Sequence, residues 1–162
     1  MSARRTASVG GVDVALDHYI GGDRAGSATT FEDRSPIDWS LLLGDVARGD
    51  AETAAAAVGA AAAAAAGWAA LGTSGRGAIL RRLADLIDAR TEELAIVECL
   101  DMAMLLRSLR ARVIARGARN FRAYADLAAA HRGRVWSSGG TANRVLRRPA
   151  GPAVVITPWN AP

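Results

Sequence analysis

The sequence predicts an incomplete α/β fold that is mostly helical, and three observations lead to this prediction. Short β-prone segments occupy residues 18–46, and alanine-rich segments with helical periodicity occupy residues 51–130. An apolar β-branched run at 153–157 is typical of a first core strand buried on both faces in a parallel sheet. Such a strand needs neighbours reached by crossover connections, and none follow. We therefore expect the front part of a longer α/β architecture.

The strands are expected near the N-terminus, after a flexible leader over residues 1–17. His18-Tyr19-Ile20 runs into the turn signal Gly21-Gly22, and two further strands are predicted at 29–33 and 41–46. Together these segments indicate a small meander or hairpin.

The helical region is expected to begin after Asp50, a good N-cap residue, and to continue through an alanine-rich helix to residue 71. Val58 and Trp68 are the expected packed face of this helix. A second helix carries apolar residues on one face from Ile79 to Ile87. A third helix is expected to be capped by Thr91, and a long fourth helix is expected over residues 105–130. A hairpin near 135–147 follows, with its turn at Gly139-Gly140.

The composition limits the possible classes of function. With 162 residues, of which 51% are hydrophobic and 22% charged, the chain can bury a core and is not disordered. Its single cysteine, Cys99, excludes an internal disulfide, and we expect it to be a buried structural residue. His18 and His131 lack a metal-ligand spacing, so we expect no metal site.

The charge pattern indicates an ordinary solvated surface. The net charge is +4, all 20 basic residues are arginines, and the 16 carboxylates are scattered among them. The absence of lysine excludes Schiff-base and P-loop lysine chemistry from this chain. We expect no nucleic-acid partner, although a basic nucleic-acid-binding helical domain is kept as an alternative that would require a steep salt dependence. No targeting or membrane segment is evident, so we expect a cytoplasmic protein without a membrane partner.

The residues at 156–162, ITPWNAP, resemble the "(T/S)PWN-x-P" motif of the NAD(P)-dependent aldehyde dehydrogenase superfamily. The upstream order agrees with the family. Residues 19–22 are similar to its "(F/Y)I-x-G" strand, residues 76–87 to its "R-x-x-I-L-x-x-L-A-D-L-I" helix, and residues 147–152 to its "R-x-P-x-G-V" segment. The resemblance runs collinearly from 18 to 162, so the chain is identified as an N-terminal portion of a member of this family.

The resemblance implies a fold and an activity. Residues 18–162 would be the incomplete N-terminal cofactor-binding domain, of Rossmann type, with the hairpin at about 134–148 as an oligomerisation arm. The activity would be oxidation of an aldehyde to a carboxylic acid with NAD or NADP, through a thiohemiacetal on a cysteine, in a homo-oligomer.

The family motif also implies roles for individual residues. Asn160 would donate its side-chain amide to the developing oxyanion. Ile156, Thr157, Pro158 and Trp159 would line the cofactor cleft. For Trp159 a plain packing role is an equal alternative, and in this chain alone Asn160 would be an exposed polar residue.

This chain departs from the family in ways that bear on activity. In the family, the catalytic cysteine, the glutamate base and the cofactor-binding lysine all follow the motif, so we expect the chain alone to be inactive. The segment Asp101-Met102-Ala103-Met104 also lacks the glycine and proline of the family's "D-x-G-K/M-P". The alternative function is a non-catalytic truncated remnant, or a partner of a full-length aldehyde dehydrogenase. The sequence leaves open which aldehyde is used and whether NAD or NADP is the cofactor.

Overall fold

The computed structural model describes residues 5–131 and 133–158, and the N-terminal part of this region consists of three antiparallel hairpins. Each hairpin is a separate two-stranded sheet. The strands are β1 (Thr6–Val9), β2 (Val12–Ala15), β3 (His18–Ile20), β4 (Asp23–Ala25), β5 (Thr30–Arg34) and β6 (Leu42–Ala47). The three segments expected to be strands are therefore β3, β5 and β6, with ends shifted by about one residue.

The first hairpin replaces most of the expected flexible leader. Residues 6–15 pair in register from Thr6–Ala15 to Val9–Val12, so the prediction of a flexible leader over 1–17 is wrong for this stretch. Two adjacent glycines with positive φ, Gly10 and Gly11, form the turn. This turn packs on the third helix so closely that a Cβ on Gly10 would lie 2.5 Å from Cγ2 of Ile96. Strand pairing and packing on the third helix therefore order a segment that was expected to be mobile.

The helices follow the third hairpin with very short connections. They are α1 (Ala51–Ala70), α2 (Gly72–Ala89), α3 (Thr91–Met102), α4 (Leu106–Ser108) and α5 (Ile114–Ala130), and a π-helical turn (Leu109–Val113) joins the last two. Asp50 is the N-cap of α1, as expected, and accepts a hydrogen bond from the backbone N–H of Thr53. Thr91 does not cap α3. Its hydroxyl donates instead to the Asp88 carbonyl at the end of α2, at 2.9 Å.

The helical core lies between α2 and α5, which run antiparallel. Its fully buried residues are small, and Ala84, Ala118 and Ala125 are each 0–1% exposed. A Cβ on Gly77 of α2 would lie 3.6 Å from the carbonyl oxygen of Ala125. Small residues on both faces thus let the two helix backbones approach closely.

The first helix, α1, has no buried residue. Val58 is 51% and Trp68 is 42% exposed, so the prediction that they form a packed face is wrong. The physical reason is that an alanine face buries little surface against any neighbour. The length and the apolar composition of α1 would also allow it to cross a membrane. These two criteria do not distinguish such a segment from a surface helix built of alanine.

The last regular element that the structure describes is the hairpin of β7 (Arg134–Ser138) and β8 (Thr141–Val145), as expected from the sequence. Residues 146–158 then form neither helix nor strand. The expected core strand at 153–157 is therefore absent, because no other described strand pairs with it. Val154, Val155 and Ile156 are 78%, 81% and 90% exposed. The overall prediction of a largely helical N-terminal part of an α/β domain is confirmed.

Candidate functional site

The residues of the ITPWNAP motif divide between the described and undescribed parts of the chain. Ile156, Thr157 and Pro158 are described, are exposed and lie outside any helix or strand. Trp159 and Asn160, the predicted second half of the site, lie outside the described residues. The roles of all five predicted site residues therefore remain predictions.

The chain approaches the motif along α1. Pro149, Gly151 and Pro152 lie across from Trp68 and line an apolar cavity of about 230 Å³ with the alanines of that helix. Gly151 has a φ of +103°, a conformation that favours glycine, and it redirects the chain at this point. The family-like R-x-P-x-G segment is thus positioned by the C-terminal half of α1.

The C-terminal end of α1 is held by an arginine of the next helix. Nη1 of Arg76 donates to the carbonyl oxygens of Trp68 and Ala69, at 3.4 and 3.2 Å. These carbonyls are among the last four of the helix, which have no partner within the helix itself. Arg76 therefore stabilises the turn between α1 and α2 and fixes the place of Trp68 beside residues 149–152.

Residues 156–158 do not form a cofactor cleft by themselves. A dinucleotide site is a concave surface that covers most of the ligand, whereas Ile156 is 90% exposed. In doubly wound folds such a site lies at the carboxyl ends of several parallel strands. All strand pairs in the described residues are antiparallel. The described part of this chain therefore does not fit NAD or NADP alone.

A group of carboxyls at the end of α3 was not predicted from the sequence. Burial raises the pKa of Asp33 on β5, and the adjacent carboxyl of Asp101 raises it further by its charge and by a hydrogen bond. Burial, and then the charge of Asp101, raises the pKa of Glu98 as well. Nearby, Ser35 donates from Oγ to the Leu100 carbonyl at 2.5 Å. No sequence signal indicates this cluster, because Asp33 and Asp101 are 68 positions apart.

Neither Cys99 nor the histidines form a recognisable catalytic or metal site. Cys99 lies on α3 and is half-buried, which is less than expected for a structural cysteine. Over residues 5–131 and 133–158, no group of three or more His, Cys, Asp or Glu side chains is placed to hold a metal ion.

Comparison with known proteins identifies the family. The model of the aldehyde dehydrogenase family matches residues 24–162. The 2-hydroxymuconic semialdehyde dehydrogenase of Pseudomonas sp. (strain CF600) is 38% identical over an alignment of 155 residues, which covers 91% of this chain and 32% of that protein. The succinate-semialdehyde dehydrogenase of Paenarthrobacter nicotinovorans is 37% identical over 123 residues, or 75% of this chain and 27% of that protein.

Solved structures give the same result for the fold. A putative aldehyde dehydrogenase from Burkholderia cenocepacia superposes with a TM-score of 0.73 and 33% identity, covering 76% of this chain and 25% of that one. The indole-3-acetaldehyde dehydrogenase of P. syringae, solved with NAD⁺ and IAA, has a TM-score of 0.72 and 30% identity, over 76% and 26% of the two chains.

The chain spans about a third of the length of the curated relatives that it matches. The match nevertheless includes both the helical region and the ITPWNAP motif. This chain belongs to the aldehyde dehydrogenase family.

Proposed function

We propose that this chain is the N-terminal part of an NAD(P)-dependent enzyme that oxidises an aldehyde to a carboxylic acid. The observation that carries the proposal is the family match over residues 24–162, which reaches through the ITPWNAP motif. The names of the relatives, two of which are semialdehyde dehydrogenases, support aldehyde oxidation as the reaction. We attribute the activity to a longer product and not to the chain alone.

The proposed roles of individual residues follow the family motif. Asn160 donates its amide to the oxyanion that forms when the aldehyde carbonyl is attacked. Ile156, Thr157, Pro158 and Trp159 line the cofactor cleft once further strands cover the segment. The exposure of Val154, Val155 and Ile156 supports this arrangement, because an apolar β-branched run in water lacks the neighbours that such a sequence favours.

The first test is the native gene product. The DNA beyond the codon for Pro162 is sequenced, and the intact mass of the native protein is measured. We expect the frame to continue into a glycine-rich turn, a lysine, a glutamate and a cysteine. A stop codon directly after Pro162, with a native mass of 16.8 kDa, would contradict the proposal.

The second test is activity of the chain alone. The purified chain is mixed with NAD⁺ or NADP⁺ and with succinate semialdehyde or indole-3-acetaldehyde, and the reduced cofactor is followed by its absorbance. We expect no aldehyde-dependent signal, because the reaction requires both a thiolate nucleophile and a general base. The single cysteine of the sequence, Cys99, lies on α3, ahead of the ITPWNAP motif in the chain. A full-length aldehyde dehydrogenase under the same conditions is the positive control. Aldehyde-dependent turnover that is lost in Cys99→Ser would show instead that this chain is catalytic.

The alternative function is a non-catalytic partner of a full-length aldehyde dehydrogenase. The observation that favours it is the β7–β8 hairpin, where every residue of β7 is exposed and Val135 is 75% exposed. For the longer enzyme, we propose correspondingly that the same hairpin joins the subunits of a homo-oligomer. Co-purification with the full-length relative, abolished by Val135→Asp but not by Ser137→Asp, would support the partner role. Elution as a separate monomer would argue against it.

We also propose a cytoplasmic location and the absence of nucleic-acid and membrane partners. The mixed distribution of arginines and carboxylates supports this, because four arginines among residues 5–131 and 133–158 form ion pairs with acidic side chains. Cell fractionation tests the location. A DNA- or RNA-binding assay with a steep salt dependence would contradict the absence of a nucleic-acid partner.

A further inference from the structure

A second cavity lies where α1 ends, α2 begins and α5 ends, against the segment 147–151. Its volume is about 390 Å³. The charged and titratable side chains that line it are Arg76, Arg147, Arg148 and His131, and no carboxylate is among the lining residues. A concave surface lined by one sign of charge attracts an ion of the opposite sign.

The arginines of this cavity differ from the three ion-paired arginines of the described helical region. Arg81, Arg110 and Arg122 each form an ion pair with a carboxylate on a neighbouring helix. Within the described part of the chain, no carboxylate lies within ion-pairing distance of Arg147 or Arg148. The positive charge of this cavity is therefore not neutralised by the described residues.

Arg76 is already held in position at the cavity wall. Its Nη1 group donates to the carbonyls of Trp68 and Ala69. Its Nε and Nη2 groups have no acceptor among the described residues. A guanidinium has five N–H donors in a fixed plane, so one that is anchored at a single nitrogen still presents donors in a defined direction.

An apolar wall adjoins the cationic one. The cavity of about 230 Å³ beside α1 shares Trp68, Pro149 and Gly151 with the cationic cavity, and its other lining residues are alanines and Pro152. Trp68 and Pro149 thus lie between a charged compartment and an apolar one. This arrangement matches a ligand that carries an anionic group at one end and an apolar group at the other.

We propose that the joined cavities bind a small organic anion. Its oxyanion, a carboxylate or a phosphate, is held by Arg147, Arg148 and Arg76, and its apolar group lies against Trp68 and Pro149. This site is independent of the dehydrogenase function proposed above, because it uses none of the residues 156–160.

The test is a fluorescence titration of the whole chain. The substitutions Trp39→Phe, Trp136→Phe and Trp159→Phe leave Trp68 as the only tryptophan. The probes are benzoate, phenyl phosphate, inorganic phosphate and neutral benzyl alcohol. We expect saturable binding of benzoate or phenyl phosphate, at least about tenfold tighter than the binding of inorganic phosphate or benzyl alcohol. Inorganic phosphate supplies only the contact with the arginines, and benzyl alcohol supplies only the apolar contact. Benzoate and phenyl phosphate compared with each other show which oxyanion is preferred.

Matched variants locate the site. Arg147→Gln with Arg148→Gln should weaken binding of the preferred probe about tenfold or more, because charge-assisted hydrogen bonds are lost. Arg144→Gln, at an exposed position of the preceding strand β8 that does not line the cavity, should leave binding unchanged. Circular dichroism checks that each variant is folded. Added NaCl should weaken binding of the preferred probe to the chain with all its arginines, because salt screens their charges. This measurement needs no arginine variant.

Three outcomes would overturn the proposal. One is the absence of saturable binding by both benzoate and phenyl phosphate. Another is equal binding of benzyl alcohol or of inorganic phosphate. The third is binding that is unaffected by salt and by the double arginine substitution.

Discussion

Arg122 on α5 and Asp85 on α2 form an ion pair with 2.6 Å between the guanidinium and the carboxylate. The same guanidinium reaches Asp88, one turn further along α2, at 2.7 Å. Arg81 of α2 in turn pairs with Asp126 of α5. These contacts lie beside the buried alanines Ala84 and Ala125 and link the exposed edges of the two helices.

Loss of this bridge should lower stability slightly and in a salt-dependent way. We expect Arg122→Gln to reduce Tm by a small amount in dilute buffer, because two ion pairs across the interface are lost at one residue. The difference should nearly vanish in about 1 M NaCl, where charges are screened over about 3 Å. Arg119→Gln, an exposed arginine on the same helix without a described ion pair, is the control. Equal effects of both substitutions would show that the bridge has no specific role.

The Asp33–Asp101 pair predicts a pH dependence of stability. The pKa of Asp33 is raised in the folded chain above its usual value of 3.8, so the folded state binds a proton more tightly than the unfolded state. The stabilisation by this proton is complete below pH 3.8 and is lost as pH rises through the folded-state pKa. At neutral pH the ionised carboxyl of Asp33 therefore lowers the stability of the fold.

It follows that Asp33→Asn should stabilise the fold at pH 7, and that the gain should shrink as pH falls towards 4, the usual range of an aspartate pKa. Thermal melts at several pH values measure this. Asp23→Asn, at the exposed first residue of β4, is the matched control. A gain that is the same at every pH would indicate a cause other than titration.

Ser35 joins the third hairpin to α3 and should be sensitive to substitution. It is fully buried, and it donates from Oγ to the Leu100 carbonyl and accepts from the Ile37 N–H. Ser35→Ala should cost about 1–3 kcal/mol, because a buried carbonyl then lacks a partner. Chemical denaturation measures the loss. Ser74→Ala, at an exposed position of α2, should change stability little, and a comparable loss there would refute the interpretation.

Two glycines should respond in opposite directions to the same substitution. A Cβ on Gly44 would lie 2.7 Å from Cδ1 of Leu16, so Gly44→Ala should destabilise by about 1–3 kcal/mol through overpacking. A Cβ on Gly59, inside α1, meets nothing within 4 Å. Gly59→Ala should therefore stabilise the chain by about 0.5–1 kcal/mol, because alanine is the better helix former. Denaturation midpoints of the two variants test both signs.

Local sequence patterns predicted most of the secondary structure. Asp50 and the alanines after it specify the start of α1, and the apolar period from Ile79 to Ile87 specifies α2, because a helix is made of contacts within four residues. The β7–β8 hairpin was predictable for the same reason from Gly139-Gly140. The β1–β2 hairpin was missed, although Gly10-Gly11 carries the same turn signal. Its turn also packs close to Ile96 of α3, 86 positions away, and that contact is not visible in a local pattern.

The candidate sites were predictable to different degrees. The ITPWNAP motif is contiguous in the chain and could be recognised directly, and the family match includes it. The roles of Asn160 and of Ile156 to Trp159 remain predictions. The cationic cavity combines Arg76, His131 and Arg147, which are far apart in the sequence, so no local pattern could have revealed it.

The sequence by itself determined the family, the helices and the order of the elements, because these depend on motifs and on contacts between near neighbours. Only the tertiary structure decided which charges are neutralised and which are left to face a cavity. It also showed that the apolar run at 153–157 forms no strand in the described chain, since a strand exists only where another strand supplies its hydrogen bonds. Pairing of this kind depends on distances between residues remote in sequence, which composition and periodicity do not contain.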